Sequence, residues 1–261
     1  MPKISANQIE QYYEIQGKGP PLVFIHGLGS STRDWEHQVT EFSKRYMVIT
    51  FDLRGHGQSD KPSGPYSLPM FAADTAGLLR ALDVKTAHVV GLSLGGAVAF
   101  QLAVDYSSLV KTLTIVNSAP TMGGNTADVK QEIRRRVEIV QQQGMRAMGH
   151  DLSKNLFPKE SQGAVREKFV ERWAENETKP YIASLLSMSG WSVVDKLGSI
   201  RCPALIIAAD KDYSPVAVKE AYVKLMPNAR LVVIPDTRHA TPIEEPERFD
   251  AVLAPFLADH P

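Results

Sequence analysis

The sequence predicts an α/β fold: a mostly parallel sheet with helices on both faces and a helical cap inserted into it. Three observations carry this expectation. Short apolar runs ending in glycine, serine or aspartate recur along the chain, the pattern of strands buried on both faces. Helical patterns separate most of them, and strands alternating with helices build parallel βα units. The alternation fails once, from about Thr121 to Trp191, over a stretch too long to be a loop without structure.

In chain order, "KISANQIEQYYEIQG" reads as two strands turning around Asn7 and Gln8, an antiparallel hairpin on the sheet edge. "PPLVFIHG" and "YMVITFDLRGHG" are the next strands, followed by "TAHVVGLS", "VKTLTIVNSAP", "CPALIIAAD" and "ARLVVIPD". Within the exceptional stretch, Val129, Ile133, Val137 and Val140 recur at helical spacing, as do Val165, Phe169 and Trp173. The expected organisation is therefore a core of residues 1–120 and 192–261, with residues 121–191 as the inserted cap.

Between the strand "HVV" and the small-residue helix "AVAFQLAV" lies "GLSLGG". Glycine weakens both strands and helices, so Gly91, Gly95 and Gly96 mark a turn where side chains do not fit. Ser93 sits inside it in the pattern G-x-S-x-G. Such a strand-to-helix turn strains the serine backbone and projects Oγ above the sheet edge. The helix N-terminus supplies free N–H groups and a positive dipole end, where a developing oxyanion is stabilised. A serine nucleophile needs a base, and the base an orienting acid. His239 follows the last strand and precedes the last helix, on the same sheet edge as Ser93. His88 is held inside the strand leading to Ser93, His150 lies in the cap, and His37 and His260 read as solvated. The acid should follow an earlier strand, and by spacing both Asp210 and Asp212 qualify.

Global composition excludes several classes. Lys+Arg and Asp+Glu balance at 29 each, so no net charge draws the chain to nucleic acid or an anionic membrane. No apolar run approaches the ~18 residues of a membrane span. The N-terminus has no apolar signal core. The one cysteine, Cys202, reads as a buried structural thiol and fits a reducing compartment, so the expected location is cytoplasmic. There is no zinc-type Cys/His cluster and no dinucleotide fingerprint after a strand; neither a metal nor a cofactor is expected.

Over essentially its full length the chain resembles the α/β-hydrolase superfamily in its serine branch. "GLSLGG" matches the nucleophile elbow, "HGLGSSTRDW" the oxyanion loop and "FDLRGHGQSDKP" the strand and turn that follow. The resemblance implies a catalytic triad of Ser93, Asp212 and His239, because Ala209 stands where the family pattern G-x-x-D-x-x-x-P has glycine. Pro215 falls one residue earlier than that pattern. It also implies backbone oxyanion donors at Leu28 and Leu94, a structural role for His26, and a turn-stabilising network of Asp52, Arg54 and His56. The nearest likeness is to small bacterial carboxylesterases and 3-oxoadipate enol-lactonases. The implied activity is hydrolysis of a small ester or lactone through an acyl-enzyme. Carbon–carbon bond hydrolases, cofactor-free haloperoxidases and pimeloyl carrier-protein methyl esterases share the same elbow. Some relatives are slow-turnover small-molecule receptors. Met122, Met145, Met148, Trp173, Tyr181, Met188 and Trp191 are expected to line an apolar acyl pocket. Arg134, Arg135 and Arg136 read as a solvated helix face, or as a dock for an acidic carrier protein.

Overall fold

A computed structural model describes residues 2–121 and 127–261. Strands β1 (Lys3–Ala6) and β2 (Ile9–Gln16) form the antiparallel hairpin. Asn7 and Gln8 turn it with φ of 48° and 66°, and Asn7 Nδ2 donates to Asp74 Oδ1 at 2.6 Å. Then come β3 (Pro21–Ile25), α1 (Glu36–Phe42), β4 (Met47–Phe51), α2 (Leu68–Ala81), β5 (Ala87–Leu92), α3 (Leu94–Asp105) and β6 (Val110–Val116). After the helical stretch the chain resumes with β7 (Ala204–Ala209), and β8 (Ala229–Ile234) completes the sheet. Among the described residues the sheet has eight strands in the order β1-β2-β4-β3-β5-β6-β7-β8, parallel from β4 onward.

The apolar runs explain this arrangement. Along β3, Leu22 and Phe24 point to one face, where they join Phe42 of α1 and Phe249 and Leu253 near the C-terminus. Val23 and Ile25 point to the other, where Phe71 and Leu78 of α2 and Val98 and Leu102 of α3 pack. Burying each such side chain contributes about 1.5–3 kcal/mol. Both faces of β3 and β7 are covered, so these strands carry no polar alternation. Their carboxyl ends share one edge, the place where open α/β sheets hold ligands.

Between β6 and β7 run α4 (Ala127–Gln142), α5 (Gly144–Leu156), α6 (Gly163–Ala174) and α7 (Thr178–Ser187). They bury a cluster of their own that includes Met148, Phe157, Phe169, Trp173 and Tyr181, and Ala240 of the sheet edge joins it. Polar contacts fix α6 and the residues just after it to the segment after β3: Arg172 donates to the Arg33 carbonyl at 2.6 Å, and Asn176 Nδ2 to the Gly29 carbonyl at 2.8 Å. The stretch leaves and returns at one point, where Thr121 bridges Ser192 and Val193 N–H donates to the Pro120 carbonyl at 2.8 Å. The last elements are α8 (Val216–Val223), α9 (Thr241–Glu244) and α10 (Pro246–Ala258). No helix among the described residues is long and apolar enough to cross a membrane.

Candidate active site

Ser93 follows β5 and caps α3 with φ 55° and ψ −115°, a conformation side chains rarely adopt. The surrounding glycines show why it is held there. A Cβ on Gly91 would lie 2.2 Å from the Gly95 carbonyl oxygen, and one on Gly95 2.1 Å from that of Ile25. One on Gly96 would meet Ser118 Cβ at 2.5 Å. Strand and helix therefore meet at backbone distance. Ser93 N–H donates to the Val116 carbonyl at 3.0 Å, and Ser118 Oγ donates to the Ser93 carbonyl at 2.7 Å.

His239 lies between β8 and α9, and its Nδ1–H donates to Asp212 Oδ1 at 2.5 Å. Asp212 is 1% exposed in its side chain. Burial alone would push its pKa up. The hydrogen bond and charge of His239, together with the charge of Lys219, outweigh that and hold it at about 2. Asp210 faces elsewhere: exposed, it accepts the Thr237 N–H at 3.2 Å and stabilises the turn after β8. Of the two carboxylates open to the sequence, the one on the imidazole is Asp212. Tyr213 covers the other side of the ring, its centroid 4.4 Å away.

Asn117, in the left-handed region at the end of β6, joins the strand ends. Its Oδ1 accepts the Ala209 N–H at 2.7 Å. Its Nδ2 donates to the His239 carbonyl at 2.9 Å and to Thr241 Oγ1 at 3.0 Å. Sequence reasoning passed over it, because a lone asparagine after a strand reads as an ordinary turn residue.

His26 is fully buried. Its Nδ1–H donates to the Gly27 carbonyl at 2.7 Å and its Nε2 accepts the Leu53 N–H at 3.0 Å, so the loop after β3 is pinned to the end of β4. Burial and the nearby His56 hold its pKa down at about 3. His56 is also buried, donates Nδ1–H to the Arg54 carbonyl at 3.0 Å, and is held at about 4. Asp52 accepts the Thr32 and Gln58 N–H groups at 2.8 and 2.7 Å. Arg54 makes two hydrogen bonds of 2.6 Å to Asp74. These groups brace turns. His37 is exposed, as expected, with its Nε2 3.2 Å from Asp250 Oδ2.

The cavity over Ser93 has two lobes with Leu28, Ser93, Arg136, Tyr213 and His239 in the walls of both. The small lobe, about 70 Å³, is closed by Leu152, Leu156, Phe169 and Trp173. The large lobe, about 390 Å³, runs past Ser118, Glu132, Ile133, Leu185 and Met188. Ser93 and His239 meet as shared walls; among the described residues no hydrogen bond joins their side chains. Leu28 follows the Gly27 that approaches Ser93 (a Cβ there would sit 3.6 Å from Ser93 Cβ), and Leu94 is the first residue of α3.

Several expected pocket residues lie elsewhere. Met145, Met148 and Tyr181 do not line the cavity but pack in the core of α4–α7, because they occupy the inward stripes of their helices. Trp191 packs on the sheet core and donates Nε1–H to Gln101 Oε1 at 2.6 Å. Met122 lies outside the described residues. Of the seven, Trp173 and Met188 line the cavity. Nor is the pocket wholly apolar. Arg136 reaches into both lobes with Nε on Glu132 at 2.6 Å, and Arg135 pairs with Glu132 and Asp151. The arginine run is thus not a free cationic face; Arg134 is its exposed member. Cys202 is partly buried, and its thiol is pushed up to about 11 by burial, consistent with a packing role. Among the described residues no group of three or more His, Cys, Asp or Glu is placed to hold a metal.

Comparison with known proteins agrees with this architecture. Residues 20–246 match the family model described as alpha/beta hydrolase fold. A 3-oxoadipate enol-lactonase of Acinetobacter baylyi is 26% identical over 239 residues, 90% of this chain and 87% of that protein. An enol-lactonase structure from Burkholderia xenovorans superposes with a TM-score of 0.92 at 25% identity, covering 98% of this chain and all of that one. A thermophilic esterase from Thermogutta terrifontis gives 0.91 at 28% identity, with both chains fully covered. With its sheet order, its strained serine turn and a family match spanning most of its length, the chain belongs to the α/β-hydrolase family.

Proposed function

We propose that the protein is a serine hydrolase that cleaves a small carboxylic ester or lactone through an acyl-enzyme. The observation that carries this reading is the strained Ser93 sharing one cavity with a His239 already bonded to a buried Asp212. In this reading His239 Nε2 takes the Ser93 proton as Oγ bonds to the carbonyl carbon. The oxyanion rests on the backbone N–H groups of Leu28 and Leu94, and losing one such donor costs about 10²–10³ in rate. The C–O bond of the leaving group then breaks, and the alkoxide takes the proton from His239. Water, deprotonated by the same imidazole, attacks the acyl carbon and frees the acid and Ser93. Asp212 fixes the tautomer with Nδ1 protonated and stabilises the imidazolium.

The substrate class follows from the lobes. Residues 121–191 act as a cap over the strand ends, and the small lobe admits a short substituent on one side of the carbonyl. The larger lobe, with Arg136 and Glu132 in its wall, accepts a longer and partly polar one. The enol-lactonase and esterase relatives support the same choice.

The test is direct. A fluorophosphonate should add one adduct per chain, mapped to Ser93, and Ser93→Ala should lose ester hydrolysis by at least a thousandfold while keeping the fold. Labelling at another residue with Ser93 untouched would sink the proposal.

A further inference from the structure

Helix α8 buries only two side chains, Lys219 and Tyr222. A lysine in the docking face of a short helix is unusual, since lysines are almost never fully buried unless paired. Lys219 is 0% exposed. Its Nζ donates to Asp212 Oδ2 at 2.6 Å, to the Ser214 carbonyl at 2.6 Å and to Ser214 Oγ at 2.5 Å. Ser214 Oγ in turn donates to Asp212 Oδ2 at 3.2 Å. Three donors meet three acceptors, the full capacity of an ammonium. Three residues on, Tyr222 OH donates to the Ser118 carbonyl at 3.1 Å, and Ser118 Oγ holds the Ser93 carbonyl.

We infer that Lys219 is a positioning residue of the proposed hydrolytic site, acting through Asp212: its ammonium pins Oδ2, which aims Oδ1 at His239, and it offsets the carboxylate charge that the imidazole feels. This inference rests on the serine-hydrolase reading. Two consequences separate it from mere packing. The carboxylate cannot rotate between partners, since each oxygen has its own. A cation behind the carboxylate also reduces the net negative charge facing the imidazole, so its removal alters the pH profile of the reaction and not stability alone.

Other charged and titratable groups face the pair. Arg136 and Glu132 come from α4, Tyr213 from the segment before α8, and Asp34 from the loop after β3. Tyr222 reaches in from α8, and Arg238 lies on the His239 loop, its N–H bonded to Glu244 of α9. Lys219 is the cation among these that bonds Asp212 directly.

The experiment is a pH profile of kcat/KM from 5 to 8 on p-nitrophenyl butyrate for the wild type, Lys219→Met, Asp212→Asn and the double variant, with thermal unfolding of each. Lys219→Met should lower kcat/KM at neutral pH about tenfold and move the acidic limb upward by about half a unit to one unit. With Asp212 already neutralised, adding Lys219→Met should change the rate less than threefold. Lys219→Gln, which keeps amide donors without the charge, carries the same criteria should the methionine variant not fold. An unshifted limb in a folded variant, or a loss that simply multiplies in the double variant, would overturn the role. Retained activity in Ser93→Ala would instead remove the reading beneath it.

Discussion

Asp212 has two oxygens, and the fold gives each a separate partner: His239 for one, Lys219 with Ser214 for the other. Asp212→Asn is therefore expected to cut kcat by orders of magnitude, because an amide donor facing Nδ1 favours the wrong tautomer. Asp210→Asn, on an exposed turn carboxylate, should cost only a fewfold; steady-state rates in the reverse order would transfer the role. Asn117→Ala should lower both stability and kcat, since it strands the Ala209 N–H and frees the His239 loop, at about 1–3 kcal/mol for each buried group left unpartnered. Denaturant unfolding with an unchanged midpoint would refute this. Ser93 and His239 were legible because glycine spacing and a post-strand histidine are local signals. Lys219 and Asn117 were not. "VKEAY" reads as an ordinary solvated helix face, and only the packing of α8 against the sheet turns its lysine inward.

At the scale of elements, the central strands were legible because burial on both faces leaves short apolar runs, as in β3 and β7, whereas β6 carries Lys111, Thr112 and Thr114 and the edge strand β8 is largely half-buried or exposed. Pocket walls were less so. An apolar helical residue can face a neighbouring helix or a cavity with the same periodicity, which is why Met148 is packed while Leu152 and Leu156 line the small lobe. The elbow allows a sharp test: Gly95→Ala would push a methyl to 2.1 Å from the Ile25 carbonyl oxygen, between backbone atoms that cannot yield. A loss of about 3 kcal/mol or more, or failure to fold, is expected, and wild-type thermal stability would contradict the geometry. The two lobes set a second expectation. For p-nitrophenyl esters from acetate to palmitate, kcat/KM should peak at short to medium acyl length and fall steeply beyond. A rise toward palmitate with activation at a lipid interface would mark an open lipid site.

For the molecule as a whole, acid sensitivity follows from buried titratable groups. His26, His56 and His88 are held neutral by burial, at about 3, 4 and 4 against an ordinary 6.5. A depressed base contributes stability that is present above 6.5 and lost as pH falls through the folded value. Asp52 and Asp250 are pushed up by burial to about 6 from 3.8, so they act in the opposite sense between those values. From about pH 6 to 4, three protons taken up by the unfolded chain against two held by the fold leave a net of one, or about 1.4 kcal/mol per pH unit. Below 4 the two Asp carboxyls are protonated in both states, and so are His56 and His88, so His26 alone of these five goes on losing stability, down to about 3. Asp212, held at about 2, adds its own loss as pH falls from 3.8 through that value. Urea unfolding should therefore show stability declining at roughly that slope from about pH 6 down to about 4 and continuing to fall without a break to about 3. A plateau in stability between pH 6 and 4 would refute this balance.

The bridge between Thr121 and Ser192, with Val193 bonded back to Pro120, has a consequence for descent and redesign. Because α4–α7 depart and rejoin at a single doorway, the chain connects them to the sheet only at two adjoining points, and their other contacts with it are made by side chains. Selection can rewrite selectivity there while leaving the glycine turn and the His239 loop untouched, and so can an engineer. A chimera taking the corresponding segment of a related enzyme, spliced at Pro120 and Val193, should inherit the donor's ester preference and keep this chain's labelling of Ser93. Retention of the original preference would show that the sheet edge, not the graft, selects the substrate.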